Sequence, residues 1–306
     1  MPAEETLVSE KTVPRSSVAV KRDPGSSRVG FRRIKNKTAH VLFLLATLIG
    51  VLVLAVLLFD IVQRGWPYLT SDFFNNFASR IPSRAGIHAA FWGSVWMIAV
   101  TAPLTFLIGV AAAVYLEEYS KKGWLSRLIQ LNIANLAGVP SIVFGILGLT
   151  LFVRGLELGK SVLAGSLTMT LLVLPVVIVA AREAIASVPD SLRQASYAMG
   201  ATRWQTIRNV VLPYAFPGIL TGTILALSRA IGETAPLIMV GAVTFLAFTP
   251  ASVFDEFTVM PIQIYRWIAE PKEEFQYLAS AGIIVLLAIL LSMNALAIYL
   301  RNKFQR

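Results

Sequence analysis

The chain contains no cysteine in its 306 residues. That excludes disulfides, thiolate metal sites and cysteine nucleophiles outright. Its two histidines, His40 and His88, are too few and too far apart to build a metal cluster. Charge is scarce as well. Only 14% of the residues are Asp, Glu, Lys or Arg, against about a quarter in a soluble domain. A complete nucleotide-binding loop is also missing. Gly159-Lys160-Ser161 ends like one, but the pattern demands a glycine at position 154, where the residue is Arg154, and no strand-like run precedes it. No ATP site, cofactor or bound metal is therefore expected.

Apolar residues are plentiful, at 56% of the chain with a mean hydropathy of +0.69. They gather in seven charge-free runs: residues 41–59, 89–116, 128–153, 161–181, 209–228, 234–254 and 275–300. About 20 apolar residues cross a ~30 Å hydrocarbon core as a helix, so most of the chain belongs in lipid. Residues 1–38 are polar and basic, with Pro2, Pro14 and Pro24, and are expected to form a disordered tail. The first apolar run begins only after Lys37, so no cleavable leader is expected.

The net charge of +10 follows from topology rather than nucleic-acid binding, because membrane proteins collect Lys and Arg on their cytoplasmic side. The tail holds nine Lys or Arg and the C-terminal RNKFQR three, which predicts both termini inside and an even number of crossings. Counting residues 209–254 as one crossing plus extra material gives six. Nineteen of the 27 Lys and Arg then fall inside and seven outside, with Arg229 left in an apolar stretch. The expected class is an all-α membrane protein with six transmembrane helices.

An unbroken helix over residues 213–248 would be about 54 Å long, too long for one crossing. Gly232, Pro236 and Gly241 predict a break near Ile231, followed by a half-inserted or interfacial segment. The exterior stretch 249–277 mixes acids with Phe254, Phe257, Tyr265 and Trp267, which predicts a short helix lying on the membrane face. Gly138, Gly145 and Gly148 allow close helix contact. Ser141, Ser166 and Thr168 are equal candidates to line a path. His88 reads as interfacial, and Glu117 and Glu118 as partners of Lys121 and Lys122.

Between the fourth and fifth spans, the stretch 182–213 carries Arg182, Arg193, Arg203 and Arg208. It reads as two short helices. Asp190 suits a helix N-terminus, Gly200 permits a sharp bend, and Trp204, Ile207 and Val211 share an apolar face at helical spacing.

Arg229 and Glu233 are four apart and can pair on one helix face. In lipid such groups are costly unless they meet a partner or a wet path. Two roles suit them: a neutralised pair locking two helices, or a gate where the guanidinium meets a passing oxyanion. Counted from Pro213 at ~1.5 Å per residue, Arg229 lies about 24 Å along its helix, nearer the outer side than the middle.

The loop spacing is distinctive: Gln194-Ala195-Ser196, three residues, Gly200, nine residues, Val210, one residue, Leu212-Pro213. It resembles the cytoplasmic coupling loop of ABC-importer permeases, whose usual form is Glu-Ala-Ala, three, Gly, nine, Ile, one, Leu-Pro. Together with NLAGVPSIVFGILGLTLFV at 135–153 and LSRAIGETAPL at 227–237, it makes residues 87–301 similar to the PstA family, permease subunits of the phosphate-specific ABC importer. The resemblance implies a MetI-like type I importer bundle and a non-catalytic subunit in a bacterial plasma membrane, forming half of a path for inorganic phosphate. It implies as partners a PstC-like permease, a PstB-like ATPase dimer and a PstS-like binding protein, with membrane lipid around the bundle. Arg193, Gln194, Ala195, Ser196, Gly200 and Arg203 would form the ATPase-coupling loop. Gln194 departs from the usual Glu and can only hydrogen-bond. The chain then divides into a tail (1–38), a first span with an external loop (39–86), the permease domain (87–301, coupling loop 182–212) and a short cytoplasmic end (302–306). The residue chemistry also admits another oxyanion, an ion-coupled carrier with Glu233 as proton site, or a regulatory membrane protein.

Overall fold

The computed structural model describes residues 26–121, 123–242 and 245–304; the polar stretch 1–25 and Lys122 lie outside them. The chain divides into two compact units, residues 1–57 and 58–306. Helix α1 (Ser26–Gly65) begins in the first unit and ends in the second. It starts ahead of the apolar run, inside the stretch expected to be tail. Lys and Arg are good helix formers, so hydropathy marks where lipid begins rather than where a helix does. From Val41 to Leu57 its large apolar side chains are exposed.

Among its described residues the second unit's regular elements are all helical, apart from one isolated bridge between Ser161 and Glu256. After the short α2 (Ser71–Asn75) comes α3 (His88–Val114), prolonged by a π-helical turn at Tyr115–Tyr119. Next are α4 (Trp124–Leu136) and α5 (Ser141–Gly148), the latter prolonged by a π-helical stretch at Leu149–Gly155. Helix α6 (Val162–Ala186) precedes the loop helices α7 (Asp190–Ala198) and α8 (Arg203–Thr206). A π turn at Ile207–Val211 joins α8 to α9 (Leu212–Ile231). The short α10 (Ala235–Val240), α11 (Met260–Ala269) and α12 (Glu273–Phe304) complete the unit.

Among the described residues, five runs are long and apolar enough to cross a membrane unbroken: Lys35–Tyr68, His88–Tyr119, Val162–Ala186, Arg203–Ile231 and Glu273–Lys303. A sixth, Trp124–Leu136 with Ser141–Gly155, is bent by 100°. Chain direction settles whether the bent pair crosses. Glu117 at the end of α3 meets Arg182 near the end of α6 at 3.2 Å, so these helices run the same way. The chain must therefore return across the bundle through residues 124–155, and the expected six crossings hold. Pro140 marks the bend with extended backbone (φ −55°, ψ 134°). It lacks an N–H and disfavours helix at the residue before it.

Helices α6 and α9 meet along a seam of small residues. A Cβ on Gly222 would lie 2.5 Å from the Ala180 methyl, and one on Gly218 2.9 Å from that of Ala184. Such residues, four apart on each helix, let two backbones approach where lipid gives no hydrophobic drive to associate. The loop end of the seam is sealed by Ala113, Val114, Ala181, Ile185, Ile207 and Val211, all buried.

The break predicted after α9 is present. Gly232 caps the helix, and α10 packs against α5, where Gly145 leaves 2.7 Å between its would-be Cβ and Pro236 Cα. The exterior helix is also present, with one side packed into the bundle and Tyr265 and Ile268 exposed on the other. Met260, Ile262, Gln263, Ile264 and Trp267 of α11 are buried. Phe257 is fully buried against Gly165, and the Met260 N–H donates to Ser94 Oγ at 2.9 Å. The same segment serves the N-terminus of α6: the Val162 and Leu163 N–H groups donate to the Asp255 and Val253 carbonyls at 3.0 and 2.8 Å, satisfying donors that a helix start leaves unpaired. Of the aromatics that suggested an interface, Phe257 and Trp267 are core residues of an inserted plug, whereas Phe254 and Tyr265 are exposed.

The seam gives a direct test. Gly222→Val is expected to overpack it at a cost of about 1–3 kcal/mol, lowering the unfolding midpoint in detergent. Ala180→Gly in the same chain should restore part of that loss. A Gly222→Val chain as stable as the parent would show that the seam is not tight.

Candidate functional site

Two features stand out at opposite reaches of the α6–α9 pair, and the first is the loop joining them. Helix α7 starts after Pro189 with Asp190 in its first turn, where a carboxylate is favoured. It ends at Gly200, whose φ of +79° is left-handed and suits glycine. The Ala201 N–H donates to the Ser196 carbonyl (3.2 Å) and the Gly200 N–H to that of Tyr197 (2.9 Å), the paired bonds of a Schellman ending. Thr202 and Gln205 form a reciprocal capping box that starts α8. The Ser196 and Thr206 hydroxyls, 2.9 Å apart, tie the two helices together.

The result is a knob with an apolar tip. Leu192, Tyr197, Met199 and Trp204 are exposed, Met199 at 88%. Trp204 is exposed whereas Ile207 and Val211 are fully buried, so the apolar residues grouped by helical spacing do not form one packed face.

The arginines turn back toward α3. Arg193 Nη2 donates to Glu118 Oε1 (2.9 Å) and the Ile185 carbonyl (2.9 Å), and Nε to the same carboxylate oxygen (3.1 Å). Its Nη1 donates to the Val188 carbonyl (2.6 Å) and Asp190 Oδ1 (3.1 Å). The two side chains of the Arg193–Glu118 pair are only 14% and 7% exposed, and removing one partner of a pair so buried costs about 3–5 kcal/mol. Arg182 pairs with Glu117 at 3.2 Å, and the Arg203 guanidinium stands 5.0 Å over the Tyr119 ring. Glu117 and Glu118 thus pair with arginines distant in sequence rather than with Lys121. Two adjacent acids at the end of a span were visible in the sequence, but not their partners.

Of the six predicted loop residues, Gln194 and Ala195 face solvent, and Gly200 makes the turn. Ser196 is half-buried against Thr206, while Arg193 and Arg203 engage the end of α3.

The second feature is a cavity of about 250 Å³. Its walls are the 136–141 bend, Leu172, Val173 and Val176 of α6, and Ala226, Arg229, Ala230 and Glu233. Arg229 Nε and Glu233 Oε1 stand 3.7 Å apart, with side chains 68% and 19% exposed. The two distinctive segments at 135–153 and 227–237 thereby meet in space. The seam corrects the depth of Arg229. Continuing from Gly218–Ala184 and Gly222–Ala180 one turn at a time brings Arg229 level with Val173, near the middle of α6. Counting from Pro213 measured length along α9 and not the level against the neighbouring helix, which the seam supplies.

The cavity also separates the candidate hydroxyls. Ser141 lines it, whereas Ser166 and Thr168 are fully buried and donate to the Met97 and Ala164 carbonyls. His88 Nδ1 lies 2.9 Å from the Phe74 carbonyl, in a structural contact near the start of α3. The apolar walls, Leu172, Val173, Val176 and Ala226, carried no sequence signal that set them apart from other span residues.

Residues 105–306 match the model of the binding-protein-dependent transport system inner membrane component. The chain belongs to this family. Within it, the chain is a permease of the PstA kind. The phosphate transport system permease protein PstA 1 of Mycobacterium tuberculosis is 33% identical over 279 residues, covering 88% of this chain and 90% of the relative. PstA of Mycobacterium leprae is 37% identical over 267 residues, covering 85% and 86%. The probable ABC transporter permease protein YqgI of Bacillus subtilis is 34% identical over 237 residues, covering 77% and 80%. Among solved structures, the inward-facing MetNI methionine ABC transporter aligns with a TM-score of 0.60 at 19% identity, over 71% of this permease and 95% of that chain. A bacterial alginate ABC transporter aligns with a TM-score of 0.62 at 18% identity, over 87% and 96%. These likenesses establish the importer-permease fold.

The permease has no native cysteine, so introduced thiols report access cleanly. Arg229→Cys and Ser141→Cys are expected to react with a small water-soluble thiol reagent, while Ser166→Cys and Thr168→Cys should stay unlabelled. Equal labelling of all four would rule out the cavity as the wet path.

Proposed function

We propose that this permease forms half of the translocation path of an ATP-driven importer of inorganic phosphate. The observation that carries this reading is the Arg229–Glu233 pair lining a cavity at mid-depth, where a guanidinium can meet an oxyanion. An ionisable pair inside a membrane bundle is costly unless it faces a partner or a wet path. Relatives named as phosphate transport permeases support phosphate as the cargo. Glu233 holds Arg229 oriented and limits anion leak when paired.

The loop end, rich in Lys and Arg by the charge count, is the cytoplasmic side, and both termini lie there. The knob of α7 and α8 docks on one copy of a PstB-like ATPase dimer. A PstC-like permease supplies the other half of the path, and a PstS-like protein delivers phosphate to the plug side. The subunit itself catalyses nothing; hydrolysis belongs to the ATPase. With Gln194 in place of the usual Glu and Arg193 engaged internally, docking rests on the apolar tip around Met199 more than on an ion pair.

Phosphate uptake into vesicles bearing the complete complex is expected to require ATP and to ignore proton uncouplers. Arg229→Ala should reduce it to background while the complex still assembles and binds its ATPase. Normal uptake by that variant would remove Arg229 from the path, and uptake driven by a proton gradient alone would remove the ATP-driven reading. Sulfate and molybdate as competitors test the choice of oxyanion.

Gly200→Val probes docking. A Cβ there meets open space, so the cost is backbone strain of roughly 1–2 kcal/mol in the turn that shapes the knob. Co-purification of the ATPase is expected to weaken without loss of membrane insertion.

A further inference from the structure

Three consecutive residues of the π turn that ends α3 each hold an arginine from the stretch 182–213. Glu117 holds Arg182, Glu118 holds Arg193, and Tyr119 holds Arg203. These arginines come from the end of α6, from α7 and from α8 in turn. The middle contact is the most buried, and its guanidinium also binds the Ile185 and Val188 carbonyls where α6 ends. One side chain therefore joins the end of α3, the end of α6 and the start of α7.

We propose that this three-point clasp makes the end of α3 and the coupling loop a single rigid body. Glu118 and Arg193 are its positioning residues. The proposal rests on the reading that the loop docks on an ATPase. Without the clasp, a displacement of the knob reaches the bundle only through α6 and α9, to which the chain connects it. With the clasp it also drives α3, which packs along α6 through Gly109 against Val177 and Ala113 beside Ala181. Three of the four loop arginines serve this internal joint, while Arg208 stays exposed.

The test uses the complete transporter in proteoliposomes with inorganic phosphate. Glu118→Gln and Arg193→Met are expected to retain the ATPase and its hydrolysis, while phosphate moved per ATP falls by roughly tenfold, within the usual range of coupling between sites. A merely structural role would lower the yield of complex and leave that ratio alone. Wild-type stoichiometry in both variants would overturn the proposal. If either variant fails to assemble, a cross-link decides. Tyr119→Cys with Arg203→Cys, joined by a bifunctional thiol reagent of matched length, should leave transport intact, because the two sites move together. Arrest of transport on cross-linking would show that the loop moves against α3 and would sink the clasp. Failure of the unmodified chain to retain an ATPase is a separate outcome, and it would remove the docking reading and this proposal with it.

Discussion

The close approach of α6 and α9 is the constraint on which the other features depend. Gly218 and Gly222 on one helix, and Ala180 and Ala184 on the other, bring two backbones together with no side chain between them. In lipid, association of this kind rests on van der Waals contact rather than water exclusion, so the fit at these four residues carries much of the pairing. It also sets a ruler. Once the register is fixed at one end, the height of Arg229 against Val173 and the placement of the loop beneath follow without further freedom. The loop closes one end of the α6–α9 hairpin, and the cavity lies beside the middle of α6.

Much of this was legible in the sequence because lipid imposes simple rules. Charge-free runs found the spans, and Gly232 with Pro236 found the break after α9. Gly200 announced its turn because few other residues adopt a φ of +79°. The loop spacing carried the family on its own.

What stayed hidden depended on distance in the chain. Glu117 and Glu118 looked like partners of nearby lysines, since sequence shows neighbours and not the helix that packs alongside. Trp204 was grouped with Ile207 and Val211 on one apolar face because spacing does not tell which side chains pack inward. The 254–267 segment looked interfacial because aromatics serve both membrane surfaces and packed cores; only the burial of Phe257 and Trp267 distinguishes them. The cavity walls on α6 were invisible for the opposite reason, being ordinary apolar residues whose importance comes from position alone.

The π turn at Tyr115–Tyr119 has a consequence for how this region tolerates change in length. A substitution at Glu117, Glu118 or Tyr119 touches one contact and leaves two. Deleting or inserting a single residue upstream in the helix rotates everything beyond it by about 100°, and all three side chains lose their arginines at once. The end of α3 is therefore far more sensitive to gain or loss of a residue than to exchange of one. Natural variation in this family is expected to reflect that, with a constant residue count along α3 up to the end of the turn.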